Sequence, residues 1–246
     1  MTSPARRHYL RTVAAQAAAA GANADEMPTA TANAYELMLR RLAEHRRQLK
    51  MIQSIDRKVE AKRAYLPDYT DWVAGVLAAD RGGQDDVLVT VLVWLIDTGD
   101  LAAALPLADY AIRHGLTMPD HYQRGIACVV AEEFAEVALK QLQAGEVPDV
   151  EALQRAKEIT AEHDMPDEAR AKLFKALGYA LRAQCEGDTA GIGLGQMEVA
   201  IDYLKQALQL HDKVGVKKDI ERLEREIKKA TEQQNPAPAG APAGQG

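Results

Sequence analysis

The stretch that decides the fold class is residues 85–97, DDVLVTVLVWLID, which lies between Gly82-Gly83 and the turn Thr98-Gly99-Asp100. Its apolar run, residues 87–96, has ten residues and is too short to span a bilayer. The two aspartates at its start suit the positive end of a helix dipole. The pattern therefore predicts a strongly apolar helix in the core of the protein.

The rest of the chain favours the same class. Alanine contributes 44 of the 246 residues, aromatic residues are only 5%, and Ala, Leu, Glu, Lys, Arg and Gln are strong helix formers. A β-sandwich or barrel would require Val, Ile, Thr and aromatic residues instead. We predict an all-α protein, with helices after the central one at residues 101–114, 126–144, 149–163, 166–184, 196–211 and 216–234.

Three helical segments are expected before the central helix, and the last of them has a helical face formed by Tyr69, Trp72, Val76 and Leu77. A short basic helix begins with Ser3 as N-cap and Pro4 at its first position, followed by an alanine run and a linker up to Pro28. A single long helix follows over residues 31–65, with a narrow apolar stripe like a coiled-coil seam. We predict oligomerisation through this stripe, at Leu39, Leu42, Leu49, Ile52 and Val59.

Charge is distributed unevenly between the two ends. Residues 1–66 contain 12 basic and 6 acidic residues, a net +6, whereas residues 67–246 contain 18 and 30, a net −12. Such asymmetry is typical of a nucleic-acid-binding end, although a solvated helix face would show the same pattern. The candidate DNA-binding residues are Arg6, Arg7, Arg11, Arg40, Arg41, Arg46, Arg47, Lys50, Arg57, Lys58, Lys62 and Arg63.

These patterns suggest five segments. They are a basic segment with its linker (1–28), the long basic helix (29–66), a helical core (67–145), a helical region (146–232) and a disordered tail (233–246). A faint repeat relates the stretch that begins at Gly99-Asp100 to the stretch that begins at Gly187-Asp188. It suggests hairpins like those of tetratricopeptide repeats, with ordinary alanine-rich packing as the alternative.

No catalytic centre emerges from the residues. The Gly-rich stretch 187–195 lacks the Gly-Lys-Ser/Thr ending of a phosphate loop, so we interpret it as a loop. The six histidines show no metal-ligand spacing, and Asp85-Asp86 is better explained by helix capping than by metal binding. We therefore predict no metal and no cofactor. The two cysteines fit a reducing compartment, and a soluble, cytoplasmic protein is expected.

Several stretches are similar to one known family. Residues 84–100 with Ala104-Leu105, Tyr110-Ala111 and residues 114–119 resemble the small terminase subunit of cohesive-end tailed bacteriophages, often labelled the terminase endonuclease subunit. Supporting stretches are residues 3–8, 66–67, 72–77, 164–173 and 215–225. The insertion at 187–195 and the neutral tail differ from the family pattern.

The resemblance implies a DNA-packaging protein in the host cytoplasm. It would recognise double-stranded viral DNA at the cohesive-end site, recruit the large ATPase subunit and form a homo-oligomer, in this family usually a ring. The family label also implies endonuclease activity, for which the residues provide no site. Two alternatives stay open: a helical scaffold with no DNA role, and a metal-dependent nuclease, which would require the purified subunit alone to nick cohesive-end DNA with magnesium.

Overall fold

A computed structural model describes residues 3–20, 28–119, 124–185 and 192–234. These residues form helices and no strand, so the predicted all-α class is confirmed. No helix among them is long and apolar enough to cross a membrane. The α-helices are α1 (Pro4–Ala20), α2 (Thr29–Met51), α3 (Ile55–Tyr65), α4 (Thr70–Ala79), α5 (Asp86–Asp97), α6 (Leu101–Arg113), α7 (Ile126–Gln143), α8 (Val150–Thr160), α9 (Asp167–Gln184), α10 (Ile192–Leu210) and α11 (Lys217–Gln234), with a 3-10 turn at Leu66–Asp68.

Helix α5 lies in the core, as its sequence predicts. Val87, Leu88 and Val89 are fully buried, and so is most of the helix after them. Asp85 caps its first turn, accepting hydrogen bonds from the backbone N–H groups of Val87 at 2.9 Å and Leu88 at 3.0 Å. A buried N-cap carboxylate of this kind satisfies backbone donors that have no partner within the helix.

Helix α1 is longer than the predicted short basic helix, because the alanine run belongs to it. Ser3 caps it as expected, accepting from the Arg6 N–H at 3.3 Å. Its second half is buried at Val13, Ala14, Ala17 and Ala18, where it packs on α4. The predicted linker, residues 21–27, lies outside the described residues.

The single long helix predicted over residues 31–65 is wrong: the structure divides it into α2 and α3. Ile52 ends α2 in an extended conformation, and the Ser54 side chain caps α3 by accepting from the Arg57 N–H. A Ser followed by a first-turn Asp is a start signal for a helix. The break lets α3 leave the axis of α2 and pack on α5.

The premise of the oligomerisation stripe also needs correction. Leu42 and Leu49 are 3% and 9% exposed in a single chain, so they belong to its own core. Leu39 and Ile52 are partly buried against that core, and Val59 is partly buried as well. We expected this apolar stripe to pack against a partner chain, but most of it is buried within its own chain.

One main core extends from α1 to α10 and does not divide at residue 145. A smaller cluster joins the C-terminal helices through Ile201, Leu204, Val216, Ile220 and Leu223. The likeness to tetratricopeptide hairpins stays a prediction.

Two predicted boundaries near the C-terminus change. Residues 192–195 of the expected Gly-rich loop form the first turn of α10, and the remainder of that loop lies outside the described residues. Residues 233–234 of the expected tail belong to α11, and residues 235–246 also lie outside the described residues.

Candidate nucleic-acid interface

The first two turns of α1 form an exposed cationic arm, which we define as residues 3–10. Every residue from Ser3 to Tyr9 is exposed, whereas burial begins only at Val13. Residues 3–20 include no acidic residue, and Arg6 and Arg7 have no ion-pair partner among the described residues. The positive end of the helix dipole adds to their field, so the arm is a strongly cationic feature.

Arg11 has a different role from Arg6 and Arg7. Its guanidinium lies 3.1 Å from Asp71 at the start of α4, and the Asp71 side chain is largely buried. Beside this pair, α1 and α4 approach so closely that a Cβ on Gly75 would lie 2.4 Å from the Arg11 carbonyl oxygen. Arg11 therefore fixes the base of the arm to the body of the protein.

The cations of α2 form mostly local pairs. Arg40 lies 2.7 Å from Glu36, and Arg47 pairs with Glu44 one turn away. Exposed pairs of this kind stabilise a helix by about 0.3–0.5 kcal/mol, so a phosphate can replace the carboxylate at little cost. Arg41 instead reaches Asp68, 3.9 Å away, in the 3-10 turn.

Two cations lie free at the elbow, which we define as residues 50–57 between α2 and α3. Lys50 and Arg57 are exposed and have no ion-pair partner among the described residues. Arg46, one turn before Lys50, is partly buried. Arg40 and Arg47 are seven positions apart on α2 and share one face of that helix, so they add cations to the approach to the elbow.

The last two cations of α3 hold the helix against the core. Lys62 pairs with Asp97 at the end of α5, and Arg63 donates to the Thr98 carbonyl oxygen at 2.9 Å. Both contacts join residues 35 positions apart. These two side chains support the tertiary structure, a role that sequence reasoning missed because the pairing is not local.

An aromatic cluster orients α2 relative to the turn before α4. The His45 ring stacks on Tyr65 with centroids 3.9 Å apart, and its Nδ1 lies 2.8 Å from the Tyr69 hydroxyl. Burial lowers the pKa of His45, and the neighbouring Asp68 partly opposes this shift. In the sequence His45 only interrupts an apolar stripe, so its role was not predictable from the pattern.

A groove of about 990 Å³ lies between α3 and α7. Lys58, Lys62 and Arg63 of the predicted DNA-binding set line one wall. Five carboxylates also line it: Asp56, Asp97, Glu133, Glu136 and Glu146. Lys140 is a fourth cation in the lining, so four cations and five carboxylates leave the groove with a net charge of −1, and it is a poorer surface for DNA than the arm.

The described residues contain no group of three or more His, Cys, Asp or Glu side chains placed to hold a metal ion. Asp85, the most conspicuous carboxylate in the sequence, accepts from Trp72 Nε1 at 2.8 Å in addition to its two backbone donors. Burial raises its pKa, and these three hydrogen bonds oppose that shift. Its hydrogen bonds therefore assign Asp85 to capping α5.

Comparison with known proteins connects these surfaces to a family. Residues 39–168, just over half of the chain, match the family described as phage small terminase subunit. The chain belongs to this family. Over 242 residues it is 46% identical to the "Terminase, endonuclease subunit" of Escherichia phage P2, covering 98% of this chain and 92% of that protein.

A second relative is more distant. The chain is 30% identical over 171 residues to the "Probable terminase, endonuclease subunit" of Haemophilus phage HP1, covering 67% of this chain and 60% of that protein. No solved structure matches the chain. Membership in the small terminase subunit family indicates a role in phage DNA packaging, and the family match includes the elbow but begins after the arm.

Proposed function

We propose that this small terminase subunit recognises the cohesive-end site of the viral genome and presents it to the large ATPase subunit in the host cytoplasm. The observation that carries the proposal is the set of exposed cations without ion-pair partners on the arm and elbow of a terminase-family chain. They are Arg6, Arg7, Lys50 and Arg57. Such side chains neutralise phosphates and release condensed counterions.

The arm is the better candidate for reading bases. An α-helix fits the major groove of B-DNA, and an arginine can donate two hydrogen bonds to the O6 and N7 atoms of guanine. Arg6 and Arg7 are on adjacent positions of a helix end that leaves the body of the protein. The tyrosine beside them, Tyr9, is exposed and adds a stacking surface.

The elbow is the better candidate for positioning. Most protein–DNA hydrogen bonds go to phosphate and sugar, and they determine orientation without reading sequence. Lys50 and Arg57 are available for contacts to phosphate. Arg40 and Arg47 can make such contacts once their exposed ion pairs with Glu36 and Glu44 have opened. Several copies in a homo-oligomer would bind one duplex together, so weak contacts in each copy add up through avidity.

The proposal is tested by removing charge from the arm of the full-length protein. We expect Arg6→Ala with Arg7→Ala to weaken binding to a duplex carrying the phage's cohesive ends. Because we assign the arm to reading bases, the affinity of this variant for the cohesive-end duplex should approach its affinity for an unrelated duplex of the same length. The log–log salt slope should become shallower by about 0.9 for each of the two arginines that also contacts a phosphate. A control with the same change of charge is Arg222→Ala with Arg225→Ala, which removes two exposed arginines from α11, one of which, Arg222, pairs with Glu226.

The same titration distinguishes the alternatives. Equal affinity and salt slope for the wild type and both double variants would reject the arm, and no binding by the wild type would favour a scaffold without a DNA role. Incubating the purified subunit alone with this duplex and magnesium tests the endonuclease activity that the relatives' names state. Nicking in that assay would show that the subunit itself cuts DNA, and it would reject the proposal that the subunit only recognises DNA.

A further inference from the structure

The ion pair between Arg11 and Asp71 marks the point where α1 leaves the body of the protein. Among the described residues, no residue of the arm forms a hydrogen bond or an ion pair with another helix. Further along α1 the helix is held to the body, for example where the Thr31 hydroxyl donates to Gln16 at 2.6 Å. The pair is therefore the last polar contact that sets the direction of the arm.

The geometry of this pair resists an exchange of Asp71 for phosphate. Arg11 reaches one oxygen of Asp71 with two nitrogens, Nε at 3.2 Å and Nη2 at 3.1 Å. The Asp71 side chain is 14% exposed, whereas Glu36, the partner of Arg40, is 59% exposed. Loss of its cation would leave the Asp71 carboxylate unpaired and largely buried, which costs more than opening an exposed pair. We therefore expect Asp71 to keep Arg11 when DNA is present.

Without Asp71, Arg11 would be available to phosphate. It lies four positions after Arg7, so the two side chains share one face of α1 and are one turn apart. Its own side chain is 54% exposed. A free Arg11 would extend the cations of the arm by one turn. Asp71 thus removes one cation from the surface that a duplex of any sequence can use.

A fixed direction and a withheld cation both favour base reading over sequence-independent binding. An arginine recognises guanine through two hydrogen bonds to the base edge, which require a defined approach to the groove. An arm that is already oriented loses less conformational freedom when it makes these contacts. We propose that Asp71 is a positioning residue for base reading: through Arg11 it sets the direction of the arm, and it withholds Arg11 from phosphate. This inference rests on the proposed function, in which the arm reads bases.

A pair with a structural role alone would behave differently. If Asp71 only stabilised the contact between α1 and α4, its removal would lower the free energy of unfolding and weaken binding to every duplex alike. The proposed role gives the two kinds of duplex different responses, because the loss of Asp71 loosens the arm and also frees a cation. The affinity for an unrelated duplex therefore distinguishes the two roles by its sign.

The test is Asp71→Asn in the full-length protein, which keeps the shape of the side chain and removes its charge. The preference for the cohesive-end duplex over an unrelated duplex of the same length should fall at least about fivefold, the smallest effect expected from one lost arginine–guanine contact. Affinity for the unrelated duplex should rise, and its log–log salt slope should steepen by about 0.9 for each engaged copy, because Arg11 gains a phosphate.

Glu224→Gln is the control for this variant. It makes the same change of charge at another ion pair between two helices, in which Glu224 of α11 lies 2.7 Å from Lys205 of α10. It should leave both the preference and the salt slope at the wild-type values. A change as large as that of Asp71→Asn would assign the effect to net charge and overturn the inference.

A second variant tests whether Arg11 carries the effect. Arg11→Ala should lose the preference as Asp71→Asn does, but its salt slope for the unrelated duplex should equal that of the wild type, because Arg11 is not available to phosphate there. The double variant that combines the two substitutions should match Arg11→Ala. A double variant with a slope as steep as that of Asp71→Asn would overturn the inference.

The same measurements separate this inference from the proposed function. An unchanged preference in Asp71→Asn, together with a lost preference in Arg6→Ala with Arg7→Ala, overturns the inference and keeps the DNA role. Equal weakening for both duplexes in Asp71→Asn, with a lower free energy of unfolding in urea, assigns the pair to stability alone and overturns the inference as well. A wild type with no preference for the cohesive-end duplex rejects the proposed function, and the inference with it.

Discussion

Among the described residues, glycine allows a close approach at two helix crossings, and the crossings differ in whether backbone or side-chain atoms face the glycine. At the α1–α4 crossing, a Cβ on Gly75 would meet the backbone of α1, 2.4 Å from the Arg11 carbonyl oxygen and 2.7 Å from its Cα. At the α9–α10 crossing, a Cβ on Gly178 would first meet the side chain of Leu204, at 2.7 Å. Backbone yields only if a whole helix moves, whereas the Leu204 side chain, although fully buried, can shift its Cγ and Cδ2 atoms without moving α10, so the base of the arm is the less tolerant crossing.

The largest effect is expected at the first crossing. Gly75→Ala gains about 1 kcal/mol of helix propensity but forces α1 away from α4 at an overpacking cost of about 3 kcal/mol. We expect a net loss of about 2 kcal/mol in the free energy of unfolding, measured with urea. DNA affinity should fall with it, because the arm is held through this contact. Gly195→Ala is the control: among the described residues, no atom outside its own stretch of helix lies within 4 Å of its added Cβ, so it should stabilise the chain by about 0.5–1 kcal/mol.

A smaller effect is expected at the second crossing. Gly178→Ala meets a leucine side chain that can shift, although the Ala200 carbonyl oxygen, 2.9 Å from the added Cβ, limits the adjustment. We expect a loss of about 1 kcal/mol in the same urea titration, with DNA affinity unchanged. Equal losses for Gly75→Ala and Gly178→Ala would contradict the distinction between backbone and side-chain contact.

The smallest effect is a pH dependence at the His45 cluster, which holds α2 rather than α1. Burial lowers the pKa of His45 in the folded chain, so the unfolded chain binds more protons below about pH 6.5. The free energy of unfolding should therefore fall as the pH drops from about 6.5 through the lowered pKa, and level off below it. His45→Gln should flatten this part of the profile, and Gly75→Ala should leave its shape unchanged. A profile with the same slope in His45→Gln would assign the pH dependence to another group.

Much of the fold was readable from the sequence. Composition, hydropathy and capping residues, which act within a few positions of one another, predicted four features. These are the helix class, the core position of α5, the Asp85 cap, and the helix ends at Gly115 and Gly145. The break at residues 52–54 was also marked locally, by Ser54 before Asp56, but the apolar stripe across it suggested a continuous helix.

The candidate site was readable only in outline. The sequence located the cations in the first quarter of the chain, yet it could not separate those that hold the structure from those that are free. Arg11 pairs with a residue 60 positions away, and the partners of Lys62 and Arg63 are 35 positions away. No local pattern reports such pairs.

The sequence by itself determined which segments are helical and where positive charge accumulates, because both depend on residues one or two turns apart. Only the tertiary structure decided that Leu42 and Leu49 face the chain's own core, that Met51 and Ile55 stay uncovered, and that the arm leaves the body before Val13. Burial and ion pairing depend on which helix faces meet, and that choice is made by the packing of the whole core rather than by any one segment.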